Sequence, residues 1–361
     1  MKSEQALKQM GKAHEVMFAC EFDKFARENY KANHPIADEH FHIDINDMDG
    51  KQYHGKVDVI VGGSPCQDFS IAGLRAGIEG KRGQLIWQYY RIIMEVQPEI
   101  FIYENVKGMM SDKNGQTIKD FLQVFRESGY HCHHAVLDTK DYGVPQNRER
   151  VYIVGFKDHE LYHRFKFADK IKLEKRLKDV LEDAVDEKYY LSDKMLSFFE
   201  RHEDKHKKLG NTFHFSPMDN QSKYSPCLTA RYAKMGISDP YVKVKSATST
   251  GYETATTGDS INLTHPDSKT RRGRVGVGVG VAQTLDCACN QAVVIDRIRK
   301  LTPTECFRLQ GCDNTFKIAV SNSQAYKIAG NAMSVNILEM IFNQIEKAQS
   351  NEPTNTLMDF I

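Results

Sequence analysis

Residues 56–67 read KVDVIVGGSPCQ. Val57, Val59, Ile60 and Val61 form a short β-branched run closed by two glycines, the pattern of a buried strand that ends in a tight turn. A cysteine with a purely structural part sits inside such a run. Cys66 instead stands beyond it, behind Pro65, whose ring fixes the backbone, and ahead of Gln67. A strand-to-loop junction leaves a thiol open to reactants, and nearby N–H groups or cations there lower its pKa. Several chemistries start from such a thiol. A cysteine phosphatase needs an arginine within a short phosphate-cradling loop, and the first one here is Arg75. A cysteine protease needs a histidine base, and none of the 14 histidines marks itself as one.

Strand-like and helix-like stretches alternate on both sides of this run. MKSEQALKQM (1–10) suits a short helix closed by Gly11, EVMFAC (15–20) a strand, and EFDKFARENYKANH (21–34) a helix with Phe22, Phe25, Ala26 and Tyr30 turned inward. GQLIWQYYRIIMEV (83–96) is an amphipathic helix and PEIFIYENV (98–106) a second buried strand. GQTIKDFLQVFRES (115–128) is a helix ended by Gly129, and RVYIVGF (150–156) one more strand. Such alternation predicts an α/β fold with a doubly wound, mostly parallel sheet. Ligands in such sheets sit beyond the carboxyl ends of the strands, where Glu21, Cys66 and Glu104 all fall.

Texture divides the chain into 1–165, a second and smaller loop- and strand-rich domain at 166–312, and C-terminal helices at 313–361 that return to the first domain. FADKIKLEKRLKDVLED (167–183) reads as a charged helix, and RHEDKHKK (201–208) as a solvated face. LTPTECFRLQG (301–311) predicts a helix with Thr302 as cap and Pro303 in the first turn. SQAYKIAGNAMSVNILEMIFNQIEKA (323–348) predicts a helix that breaks at Gly330-Asn331 and resumes.

Lysine plus arginine number 49 and aspartate plus glutamate 48, so bulk charge argues neither for nor against a polyanionic partner. No stretch is apolar for the ~18 residues that cross a bilayer, and no signal-peptide core is present, which predicts a soluble, cytoplasmic chain with reduced thiols. The eight cysteines show neither a disulfide framework nor the two-residue knuckle of a zinc site. HCHH (131–134) fits a strand better than a metal site, and no metal is expected.

Two further elements stand beside Cys66. Glu104 ends a buried strand in YENVKGM (103–109), where burial keeps a carboxyl protonated, as a general acid requires. PQNRERVYIVG (145–155) places Gln146, Arg148 and Arg150 at the mouth of the next strand, and strand alternation aims the two arginines to one side.

These elements together resemble the cytosine-C5 DNA methyltransferases of prokaryotic or phage type, over most of the chain and in that family's order. The carriers are Pro65-Cys66-Gln67, Glu104-Asn105-Val106, Gln146-x-Arg148-x-Arg150, RKLTPTECFRLQG (299–311) and AGNAMSV (329–335). The resemblance implies a fold of the S-adenosylmethionine-dependent methyltransferase kind. It implies a thiolate at Cys66 that adds to carbon 6 of cytosine, a proton held by Glu104 at ring nitrogen N3, and Arg148 and Arg150 orienting the base carbonyl and the carboxylate. The target base must be flipped out of double-stranded DNA. Gln67 and Ser70 line a loop that closes on DNA, Arg82 is a phosphate contact, and Gln146 falls with the DNA-side residues. For the cofactor S-adenosylmethionine, Glu21 corresponds to the acid on the ribose, Phe22 to the residue packed on adenine, and Asp44-Ile45 to the next adenine contact. Pro65, Asn331 and Ser334 belong to the methionine end. The 166–312 segment then reads the target in the major groove, with CLTARYAKMG (227–236) and RRGR (271–274) as candidate contacts. A separately encoded restriction endonuclease is a possible partner, and the family default is a monomer.

One part of the pattern is missing. The family opens with a strand and an aromatic-x-Gly-x-Gly loop, and before Glu21 the only glycine here is Gly11. An internal methionine taken as the start, a separate peptide that supplies the strand, and a remnant that binds no cofactor are the competing expectations. Two alternative functions stay open: a tRNA-directed cytosine-C5 methyltransferase, which substrate competition distinguishes, and a non-enzymatic DNA-binding chain, which fails to bind S-adenosylmethionine.

Overall fold

The computed structural model describes residues 1–64, 85–208, 217–218, 222–228, 241–243, 261–262, 291–292 and 298–350. Helix α1 (Lys2–Gln9) closes at Gly11, whose φ of +67° lies where a side chain would be strained. Strand β1 (Ala19–Cys20) leads to α2 (Lys24–Lys31), capped by Asp23, whose Oδ1 accepts from the N–H groups of Phe25 and Ala26 at 2.9 and 3.0 Å. There follow β2 (Phe41–His42), β3 (Val59–Gly62), α3 (Leu85–Val96), β4 (Ile100–Val106), α4 (Gln116–Glu127), β5 (His131–Asp138), β6 (Glu149–Phe156) and α5 (His159–Arg164).

The strands form a parallel β1–β2 pair and a four-stranded sheet in the order β3-β4-β6-β5. β3 and β4 run parallel, whereas β6 runs antiparallel to both of its neighbours. The mostly parallel expectation holds with one departure: β3, β4 and β5 point the same way, and β6 alone runs against them. HCHH lies along β5, as the strand reading of those residues has it, and only residues 139–148 separate β5 from β6. A parallel crossover needs a dozen or more residues, so the two strands pair as a hairpin and β6 meets β4 from the opposite direction.

Both faces of this sheet are covered, as a doubly wound architecture requires. Phe101, Tyr103, Val151 and Ile153 face α3 and α4, which bring Ile86, Tyr89, Ile92, Ile93, Phe121 and Phe125 into one core. These α3 residues recur three or four apart, which puts them on one side of the helix. Ile102, Tyr152 and Val154 face the other way and are equally buried, and Tyr152 bonds the backbone of Ser334.

Two further expectations are corrected. Phe22 is 74% and Phe25 39% exposed, so α2 packs through Tyr30 and not through the phenylalanines. Residues 167–183 form no α-helix, only a 3-10 turn at Leu177–Asp179. Leu173, Leu177, Val180 and Leu181 recur at helical spacing, yet Leu177 and Val180 reach the core from a largely irregular backbone, so burial here overrides the local helical pattern.

The chain divides into two compact units. The first is Met1–Lys175, Pro226–Ala233 and Cys306–Ile361; the second is Arg176–Ser225 and Lys234–Glu305. The second unit contains α6 (Asp193–Lys208) and the short antiparallel pairs of β7 (Tyr241–Lys243) with β10 (Ile298–Lys300), and β8 (Ile261–Asn262) with β9 (Gln291–Ala292). Helix α7 (Pro303–Arg308) begins as expected: Thr302 Oγ1 accepts from the Glu305 N–H at 3.2 Å, and the Glu305 carboxylate accepts from the Thr302 N–H at 2.8 Å. Glu305 also takes both guanidinium nitrogens of Arg299 at 2.8 Å. Helices α8 (Asn322–Asn331) and α9 (Val335–Ser350) flank the expected break. Among the described residues no helix is long and apolar enough to cross a membrane.

Candidate active site

β4 carries Glu104 two residues from its carboxyl end, opposite Tyr152 of β6, and Arg150 lies opposite Val106. Alternation therefore puts Glu104, Tyr152, Arg150 and Arg148 on one face. Arg150 Nε stands 3.3 Å from Glu104 Oε1 as an ion pair, but among the described residues Oε1 is buried and accepts no hydrogen bond. Burial pushes the Glu104 carboxyl above the ordinary range, and the charges of Arg148 and Arg150 oppose that shift without cancelling it. The site thus holds a buried carboxyl with one oxygen free for a donor.

Arg148 is 2% exposed, and its guanidinium donates to the carbonyls of Gly330 at 3.2 Å, Ala332 at 2.8 Å and Leu228 at 3.4 Å. Its terminal nitrogens are thus committed to the break between α8 and α9 and to residue 228, its buried Nε has no partner among the described residues, and it acts on Glu104 through charge. Its Nη1 also lies 3.6 Å from the Cys227 thiol, and Arg150 Nη2 lies 4.0 Å from the same sulfur. Cys227 is a thiol of this site that its spacing in the sequence did not announce. Gln146, expected with the DNA-side residues, is fully buried: its amide nitrogen donates to the Leu309 carbonyl and its oxygen accepts from the Leu228 N–H. Both ends of the amide are spent inside the protein, so it braces the site wall instead of facing DNA.

Ser64 ends the described part of the loop that leads to Cys66. Gly62 and Gly63 let the chain lie close here: a Cβ on Gly63 would meet the Glu104 carbonyl at 2.5 Å, and one on Gly62 the Tyr89 ring at 2.8 Å. Pro65, Cys66, Gln67, Ser70 and Arg82 lie outside the described residues.

The residues expected around a cofactor stand at the ends of β1 and β2. Glu21 follows β1, its N–H donates to the His42 carbonyl at 3.1 Å, and its Oε1 accepts from the Asp23 N–H at 2.9 Å. Phe22 projects beside it, and Ile43, after β2, is also exposed. Asp44 Oδ1 accepts from the Asn46 N–H at 2.9 Å and its side-chain amide at 2.7 Å, and the Ile45 carbonyl accepts from Arg91. An uncovered phenyl ring beside a carboxylate at the end of a parallel strand fits the adenosine part of S-adenosylmethionine. Asn331 is exposed at the end of α8, whereas Ser334 is buried and bonded to Thr139 Oγ1 at 2.9 Å and Gln310 Oε1 at 3.2 Å. Ser334 therefore holds α9 in place. Among the described residues no three histidine, cysteine, aspartate or glutamate side chains group to hold a metal.

An α/β sheet with a buried carboxyl and two arginines at its strand ends matches the model of C-5 cytosine-specific DNA methylases over residues 3–347. Among curated proteins, the type II methyltransferase M1.ScrFI of Lactococcus lactis subsp. cremoris is 34% identical, over 92% of this chain and 73% of its own length. The orphan methyltransferase M.SPRI of Bacillus phage SPR is 31% identical, over 95% and 94%. Among solved structures, a Spodoptera frugiperda DNMT2 variant superposes with a TM-score of 0.65 at 18% identity, covering 96% of both chains, which is a likeness of fold. The chain belongs to the C-5 cytosine-specific DNA methylases, and its enzyme class is DNA cytosine methyltransferase. The family match favours this reading over the tRNA-directed and non-enzymatic alternatives.

Proposed function

We propose that the chain methylates carbon 5 of a cytosine flipped out of double-stranded DNA, with Cys66 as nucleophile and Glu104 as the group that holds the N3 proton. The observation that carries this reading is the Glu104 carboxyl: buried, raised in pKa, and with Oε1 lacking a donor among the described residues although Arg150 is 3.3 Å away. A carboxyl kept neutral can donate to a ring nitrogen, and one that shares its proton stabilises the electron density that arrives when a thiolate adds to carbon 6. That addition makes carbon 5 nucleophilic enough to take a methyl group; loss of the carbon-5 proton would then expel the sulfur as thiolate and restore the ring. Arg150 Nε holds the carboxyl in place, and Arg148 fixes the wall behind it.

S-adenosylmethionine supplies an electrophilic methyl group when bound. Glu21 would take its ribose hydroxyls, Phe22 and Ile43 its adenine, with Asp44 at the adenine amino group, and Pro65 and Asn331 would stand at the methionine end. The second unit would read the target sequence, and the enzyme would work as a cytoplasmic monomer, alone or beside a separately encoded endonuclease.

The test is covalent trapping on duplex DNA of randomised sequence that carries 5-fluorocytosine, where the fluorine blocks elimination. The wild-type chain with S-adenosylmethionine forms an adduct stable to denaturant and Cys66→Ser forms none. An adduct that persists in Cys66→Ser removes Cys66 from this role.

A further inference from the structure

β4 uses three successive residues on two faces. Glu104 points toward Arg150, while Tyr103 and Asn105, one residue to either side, point to the opposite face. On that face the three polar groups of Tyr103, Asn105 and Ser64 form a closed set. Asn105 Nδ2 donates to Tyr103 Oη at 2.8 Å and to the Ser64 carbonyl at 3.1 Å, with Ser64 Oγ at 3.3 Å. Ser64 Oγ and Tyr103 Oη share a further bond of 2.7 Å. Tyr103 is fully buried, with its ring between Tyr89 at 5.1 Å and Phe121 at 4.8 Å. A phenol so enclosed has few orientations, and its hydroxyl is a fixed point in the core. Burial pushes that hydroxyl up to about 12, so it stays neutral and shares its bond with Ser64 across the working pH range.

We propose that Tyr103 is a positioning residue for the nucleophile: its hydroxyl ties Ser64, two residues ahead of Cys66, to the strand that carries Glu104. The inference rests on the reading of Cys66 as nucleophile. Its physical content is that one rigid strand sets two things at once, the carboxyl on one face and the start of the thiol's loop on the other. The glycine at 63 serves the same end, because a side chain there would push the loop off the Glu104 carbonyl. Reacting groups misplaced by about 1 Å lose on the order of a hundredfold in rate, so a buried hydroxyl that never touches the base can still govern turnover.

Three variants of the full chain test this: Tyr103→Phe, Ser64→Ala, and the two together. Rates of adduct formation on the 5-fluorocytosine duplex, and kcat and KM for methyl transfer to the unmodified duplex, are measured per active site titrated by the adduct. Titration removes any loss that comes only from unfolded protein. Each single variant should lower kcat and the trapping rate by about 10- to 100-fold and leave KM for DNA and for S-adenosylmethionine within about twofold. The double variant should fall clearly less than the product of the two single effects, because both changes cut the Tyr103–Ser64 bond. Independent of DNA, the pH profile of Cys66 carbamidomethylation, read on its peptide by mass spectrometry, should shift in Tyr103→Phe. Wild-type trapping rates in Tyr103→Phe, or effects that multiply in the double variant, would overturn the assignment. So would a loss confined to thermal stability. If the wild type itself gives no adduct, or Cys66→Ser still gives one, the reading of the nucleophile fails first and this inference falls with it; the Cys66→Ser control tells the two cases apart.

Discussion

Glu104 sits in a conflict of forces that its chemistry needs. Burial favours the neutral carboxyl, two guanidinium groups favour the carboxylate, and burial prevails. The raised pKa has a definite linkage sign. The folded chain binds this proton more tightly than the unfolded chain, so stability falls as pH rises from the ordinary carboxyl value through the raised one. Glu104→Gln removes that slope, and its melting temperature should gain on the wild type as pH is raised from 4 to 7. The same variant should lose methyl transfer by about 10²–10⁴-fold, the usual contribution of a placed acid. Equal pH slopes in the two proteins would show that the carboxyl is ionised in the fold. Arg148 is the complementary case, a buried cation whose worth lies in the carbonyls it serves. Arg148→Met keeps the volume and removes the donors to Gly330, Ala332 and Leu228, and should cost about 2–5 kcal/mol by urea denaturation.

At the scale of elements, the β4–β6 pair depends on a missing side chain. Phe101 lies opposite Gly155, and a Cβ there would stand 2.1 Å from the Phe101 ring. Phe125 at 4.3 Å and Tyr130 at 5.3 Å leave that ring nowhere to go. Gly155→Ala should therefore destabilise by about 1–3 kcal/mol or more, and adding Phe101→Leu should recover part of the loss in a denaturant midpoint. β3 was plain in the sequence because its β-branched run ends in two glycines, β4 and β6 because they are short apolar runs, and α3 and α4 because their apolar residues recur at helical spacing. The break before α9 was equally plain at Gly330-Asn331. The direction of β6 was not, because strand composition carries no sign of parallel or antiparallel pairing; the ten residues between β5 and β6 held that information. Residues 167–183 look helical both by composition and by the spacing of Leu173, Leu177, Val180 and Leu181, and tertiary burial of Leu177 and Val180 decided otherwise. Glu104 and the arginines could be picked out as a group. The inward turn of Gln146 and the nearness of Cys227 depend on contacts between segments far apart in the chain. Tyr103 had a local sign, its two-residue spacing from Asn105, which gains meaning only once Ser64 is seen beside them.

For the molecule as a whole, the thiols divide by environment. Burial pushes Cys20 up to about 11 and Cys132 up to about 12, so at pH 8 the thiolate fractions are on the order of 10⁻³ and 10⁻⁴. Both should resist iodoacetamide in the native chain and react readily in urea, as peptide mass spectrometry would record; fast native labelling of either would mean that the β1 or β5 region opens. The order of the two units along the chain has another consequence. The polypeptide leaves the first unit after Lys175, returns for Pro226–Ala233, leaves again and comes back at Cys306. Within that brief return, the Leu228 N–H donates to Gln146 and the Leu228 carbonyl accepts from Arg148, beside the Glu104 carboxyl. The second unit is therefore no single cassette. On the proposed reading of the second unit as the part that reads the target, an exchange of target specificity by recombination or by design would proceed as two separate grafts around an eight-residue keeper. A one-piece replacement would carry off part of the wall of the site it was meant to redirect.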